Sequence, residues 1–152
     1  MRINNDILDE MFQYAIDKYP EECCGIVSGK GDIQRVHFCV NIQNKLHQED
    51  PESNPRDAKT AYQIDRSEAE RIFASIKVEQ EEIIAFFHSH IEHEAYFSDI
   101  DVAAQTVFGE PEFPNALHIV ISVKKRKISD MKCFKWDKET KDFITVVSFD
   151  RV

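Results

Sequence analysis

The eight residues IIAFFHSH, 83–90, limit the fold more than any other part of the chain. Five apolar side chains in succession, mostly β-branched or aromatic, read as a buried strand rather than a helix turn. Its polar residues, His88, Ser89 and His90, gather at the C-terminal end. Alternate residues of a strand face the same side. The two imidazoles therefore emerge together, with Ser89 pointing the other way.

The flanking sequence supplies partners for this strand. Ile7, Met11, Phe12, Ala15 and Ile16 recur at helical spacing, which predicts an amphipathic helix over about 5–18 that ends before Pro20. The stretches CCGIVSG (23–29) and IQRVHFCVNI (33–42) read as two strands of a hairpin turned by GKGD. A polar segment with Pro51 and Pro55, 43–62, is expected to be a long loop of the kind that is often functional. A helix over SEAERIFASIKVEQ follows, capped by Asp65 or Ser67, and a second helix starts at Ser98 and carries DIDVAAQTVF. ALHIVISV, KISDMKCFKW and DFITVVSF are three further strand-like runs. With no internal repeat or linker, the expectation is a single α/β domain over residues 1–152.

Charge and composition narrow the function. There are 28 acidic residues against 19 basic ones, a formal charge of −9. Such a surface repels phosphate backbones, so nucleic acid is not the expected partner. The basic run KKRK, 124–127, falls between two strand-like runs and reads as a solvated hairpin tip. No stretch approaches the roughly 18 apolar residues of a membrane span, and the start lacks the basic-then-apolar order of a secretion signal. A cytoplasmic protein is expected, with Cys23, Cys24, Cys39 and Cys133 as reduced thiols and the adjacent pair buried.

The histidines are followed at a fixed distance by Ser98 and Asp101. If a helix starts at Ser98, Asp101 lies on its first turn and can reach back to the strand end. Two neutral imidazoles and a carboxylate suit zinc and leave a fourth tetrahedral position for water, the pattern of a catalytic site. S-x-x-D is equally a capping box, and Ser98 can serve both purposes. A metal-activated water also needs a base. Glu21 and Glu22 both precede the first strand, with Glu22 at its entrance, but spacing alone does not bring either to the histidines.

Taken together, Glu22-Cys-Cys-Gly25, His88-Ser-His90 and Ser98-x-x-Asp101 resemble the motif of the JAMM (MPN-plus, JAB-domain) metalloproteases. The resemblance implies zinc held by His88, His90 and Asp101, Glu22 as general base, and Ser98 as hydrogen-bond donor to the oxyanion. It implies a curved mixed β-sheet flanked by helices, similar to cytidine deaminases. It also implies hydrolysis of an amide at the C-terminal tail of a ubiquitin-like or sulfur-carrier protein ending in Gly-Gly, with the 43–62 segment gripping that tail. Ile91 and Phe97 stand where the family commonly has prolines, which implies a looser or differently shaped loop between them. Glu92, His93 and Glu94 within it are read as solvated. Two rival readings are a non-catalytic scaffold of the same fold, and a zinc hydrolase of a small-molecule amide or a nucleobase, as in the deaminases. The second lacks the deaminases' P-C-x-x-C cysteine pair.

Overall fold

The computed structural model describes residues 2–146. In chain order its elements are α1 (Asn5–Lys18), β1 (Cys24–Lys30), β2 (Ile33–Cys39), α2 (Gln43–Glu49), α3 (Arg66–Val78), β3 (Glu82–Ile91) and α4 (Asp99–Gln105), then the short strands β4 (Thr106–Val107) and β5 (Glu110–Pro111), and finally β6 (Leu117–Lys124), β7 (Lys127–Asp137) and β8 (Asp142–Thr145).

The apolar strand ahead of the histidines, β3, lies inside a six-stranded sheet ordered β2-β1-β3-β6-β7-β8. It runs antiparallel to β1 and parallel to β6, and the other neighbours are antiparallel. A parallel pair cannot be closed by a tight turn. Here α4 and the β4–β5 hairpin span the crossover, which sets α4 beside the C-terminal end of β3. Register shifts at Val27/Ser28 and Ser122/Val123 are bulges that bend the sheet.

One face is covered by α1, whose Ile7, Leu8, Met11 and Ala15 join Val27, Ala85, Phe87, Ile119 and Ile121 in a buried cluster. Asp6 in its first turn and Lys18 in its last complement the helix dipole. On the opposite face Ile76 of α3 packs with Cys24, Ile26 and Phe86. Because Phe86, His88 and His90 alternate onto this second face, the histidines open toward α4 and away from α1. Gly25 sits under the Phe87 ring: a Cβ there would lie 2.4 Å from Phe87 Cζ and 2.7 Å from the His37 carbonyl oxygen.

Both hairpins form where the turn residues predict. Gly31 takes a φ of 60° between β1 and β2, and Lys125 and Arg126 take 51° and 60° at the KKRK tip. Two expectations change. The 43–62 segment is partly helical, because α2 occupies its start and Asn41 Oδ1 accepts the Gln43 N–H at 3.0 Å. The helix predicted through Phe108 ends at Gln105, where β-branched Thr106 and Val107 and then Gly109, at a φ of 80°, turn the chain into a hairpin. The last strand covers Asp142–Thr145, and 147–149 of the predicted run lie outside the described residues. Among the described residues no helix is long and apolar enough to cross a membrane.

Candidate metal centre

His88 and His90 stand at the end of β3, with Nε2 atoms 3.2 Å apart. Asp101, on the first turn of α4, faces both: Oδ1 is 3.2 Å from His88 Nε2 and Oδ2 is 3.4 Å from His90 Nε2. The same carboxylate completes a capping box. Its Oδ2 accepts the Ser98 N–H at 2.9 Å, and Ser98 Oγ accepts the Asp101 N–H at 3.1 Å. The cap thus fixes the angle at which Asp101 meets the imidazoles. His90 Nδ1 donates to the Glu94 carbonyl at 2.9 Å, which fixes the ring so that Nε2 faces the cluster.

Glu22 arrives from the far side through long-range backbone bonds. Cys23 N–H donates to Ser89 Oγ at 2.8 Å, and Ser89 N–H donates to the Cys23 carbonyl at 3.0 Å. The residue between the two histidines therefore fastens the entrance of β1 to β3. Glu22 N–H donates to the Ala58 carbonyl at 2.7 Å, and Asn41 Nδ2 donates to the Glu22 carbonyl at 2.9 Å. These contacts bring the ligand atoms of Glu22, His88 and His90 within 4.8 Å of one another. Glu21 turns away, its carboxylate accepting from Asn44 Nδ2 at 2.9 Å.

Glu22, His88, His90 and Asp101 are each at most 7 % exposed. Burial pushes the Glu22 carboxyl up to about 8, against smaller pulls from His90 and Arg56. Burial acts on Asp101 in the same direction, but hydrogen bonds from His88 and His90 overcome it and hold Asp101 well below the usual carboxylate range. Burial lowers His88. It also works against a charged His90, whose bonds to Asp101 and the Glu94 carbonyl outweigh it and leave the group raised. Two neighbouring carboxyls are thus driven in opposite senses. Nitrogen donors facing each other across 3.2 Å, with buried carboxylate oxygens beside them, are a donor set that could hold a metal ion.

Aromatic residues frame the cluster. Tyr62 stacks on His88 with ring centroids 4.5 Å apart, and Tyr96 meets His90 edge-on at 4.9 Å. His118, from β6, is buried between Phe86, Phe97 and Phe143, and burial takes it down to about 4. Sequence reasoning did not single out Tyr62, Tyr96 or His118. A polar residue inside ALHIVISV was the available signal for His118, whereas the tyrosines carry no local signature.

The 92–98 loop is anchored where the missing prolines implied slackness. Phe97 packs on Phe134 and Phe143, with centroids at 5.5 and 4.8 Å, and Ala95 is fully buried beside them. Glu92, His93 and Glu94 are exposed. The Glu92 carboxylate accepts from the Tyr19 hydroxyl and from Lys125 N–H, and that of Glu94 pairs with Lys124. Above the cluster opens a cleft of about 400 Å³. Arg56, Thr60, Ala61 and Tyr62, from the 43–62 segment, form one wall, and Tyr96, Ser98 and Ile100 line the other.

Residues 4–137 match the family model described as prokaryotic homologs of the JAB domain. A CysO-cysteine peptidase of Mycobacterium tuberculosis is 23% identical over 133 residues, covering 88% of this chain and 80% of that protein. Among solved structures, a Desulfitobacterium hafniense protein superposes with a TM-score of 0.68 at 18% identity, covering 99% of this chain and 95% of the other. A JAB1/MPN domain protein from Archaeoglobus fulgidus gives 0.56 at 14% identity, with 100% and 99% covered.

Proposed function

The chain belongs to the prokaryotic homologs of the JAB domain, and on that premise we propose a zinc-dependent peptidase, one catalytic domain acting in the cytoplasm on the C-terminal tail of a small ubiquitin-like or sulfur-carrier protein ending in Gly-Gly. One observation carries the reading. Two buried imidazoles share Asp101, and a second buried carboxyl, Glu22, lies in the same cluster at the floor of an open cleft. The similarity to a CysO-cysteine peptidase supports a carrier-protein substrate.

His88, His90 and Asp101 would hold the ion. When bound, zinc supplies a Lewis acid that makes a water nucleophilic near neutral pH and polarises the scissile carbonyl. Glu22 would take one proton from the attacking water as its oxygen bonds to the carbonyl carbon. It then returns that proton to the amide nitrogen as the C–N bond breaks, releasing the amine and a carboxylic acid that gives up the water's second proton to solvent. Ser98 Oγ already accepts the Asp101 N–H, so its own hydrogen is free to donate to the carbonyl oxygen as negative charge develops there. His90 keeps its orientation through the Glu94 carbonyl, and Tyr62 limits water access to His88.

Glu22→Gln keeps the shape and removes the base. Cleavage of a Gly-Gly-tailed carrier fusion should fall roughly 100-fold or more while zinc stays bound. Undiminished turnover in that variant would sink the mechanism. A purified chain that takes up no zinc would point instead to a binding module of the same fold.

A further inference from the structure

The cleft has a charge pattern that the hydrolytic chemistry does not use. Glu22, Asp99 and Asp101 line it, on a chain of net charge −9, yet Arg56 lines it too. Arg56 is the one Lys or Arg among the lining residues, and among the described residues it takes part in no ion pair. Its guanidinium reaches only the Thr60 carbonyl, at 3.4 Å. The backbone beneath it is firmly held. Gln43, a buried side chain, donates from Nε2 to the Arg56 carbonyl at 2.9 Å. Two residues on, the Ala58 carbonyl accepts the Glu22 N–H at 2.7 Å, and the Ala58 N–H donates to Asn44 Oδ1 at 2.8 Å. One set of bonds therefore positions both the general base and this cation.

A free guanidinium fork on the wall of an acidic cleft fits a ligand carboxylate in planar, two-pronged contact. We infer that Arg56 is a specificity-determining residue that binds the terminal carboxylate of the leaving group, so that the enzyme releases a single C-terminal amino acid rather than opening isopeptide or internal bonds. The inference rests on the peptidase reading and narrows its substrate. One residue extends the chain by at most about 3.6 Å. A carboxylate one residue past the scissile bond thus stays inside the cleft, within reach of a long side chain. A longer or lysine-linked leaving group presents no carboxylate at that distance and leaves the guanidinium fork without a two-pronged partner.

The test pairs enzyme variants with substrate ends. Two tail peptides ending in Gly-Gly-Ala are made, one as the free acid and one as the terminal carboxamide. Zinc-loaded wild type should cleave the acid with a KM about 10- to 100-fold lower than the amide, the range of one charge-assisted contact. Arg56→Gln should lose that preference by raising KM for the acid alone, and Arg56→Lys should keep part of it. Binding of both peptides to Glu22→Gln protein, measured by calorimetry, gives a second readout that needs no turnover. Equal handling of acid and amide by wild type would overturn the inference. So would Arg56→Gln slowing both peptides alike, the result expected if Arg56 acts only through Glu22. If neither peptide is cleaved but Glu22→Gln protein still favours the acid, the carboxylate site stands and the peptidase reading fails.

Discussion

Zinc uptake should expel a proton from Glu22, and the number released follows from its burial. The carboxyl is raised from an ordinary 4.5 to about 8, chiefly because it is desolvated among buried groups. At pH 7 a group with that affinity is about 0.9 protonated in the metal-free protein. A divalent cation beside it favours the ionised form, so loading at pH 7 should release about 0.9 proton from this residue. Calorimetric titration of zinc in two buffers of different protonation enthalpy counts the protons. Protons lost from His90 appear in both wild type and Glu22→Gln, so the difference between them reports Glu22 together with its pull on His90. That difference should shrink to about 0.1 at pH 9, where the carboxyl has already ionised. Identical release by the two proteins at pH 7 would refute the claim that burial controls this group. The same shift bears on stability without metal. Between pH 4.5 and about 8 the folded protein binds a proton that the unfolded chain has released. Stability should therefore fall as pH rises through this window, with a slope approaching ~1.4 kcal/mol per pH unit that Glu22→Gln lacks.

Other perturbations probe the frame around the site. Gly25→Ala places a methyl 2.4 Å from the buried Phe87 ring and 2.7 Å from a backbone carbonyl. It should cost about 1–3 kcal/mol in urea unfolding, and an unchanged midpoint would mean that β1 and β3 can separate freely. Ser89→Ala leaves the buried Cys23 N–H without its 2.8 Å acceptor. A loss of about 1–3 kcal/mol is expected, and wild-type stability would show that another group takes over the bond. Burial pushes the thiols of Cys23, Cys39 and Cys133 up to about 12 and that of Cys24 well above its usual value. None should react with a thiol reagent at pH 8 until the protein unfolds, so rapid labelling of the native chain would contradict their packing.

Features of the centre that depend on neighbours in the chain were legible from spacing. Strand alternation put His88 and His90 on one face, and a helix starting at Ser98 carried Asp101 on its first turn. Turn chemistry located the tips at Gly31 and at Lys125 and Arg126. The Glu-x-x-Gly match named Glu22 in advance, but only by resemblance, since no local rule relates residue 22 to residue 88. Its place depends on the β1–β3 register, on a glycine thin enough to lie under Phe87, and on a serine that binds across 66 positions of chain. Tyr62 and Arg56 reach the cleft by similarly distant routes. Proton affinities belong wholly to the folded state. Two carboxyls of nearly equal intrinsic acidity diverge because Glu22 is stripped of water with little compensation, while Asp101 receives two imidazole hydrogen bonds. Local spacing along the chain determines which donors are offered. Long-range packing decides which of them meet, and how far each is removed from water.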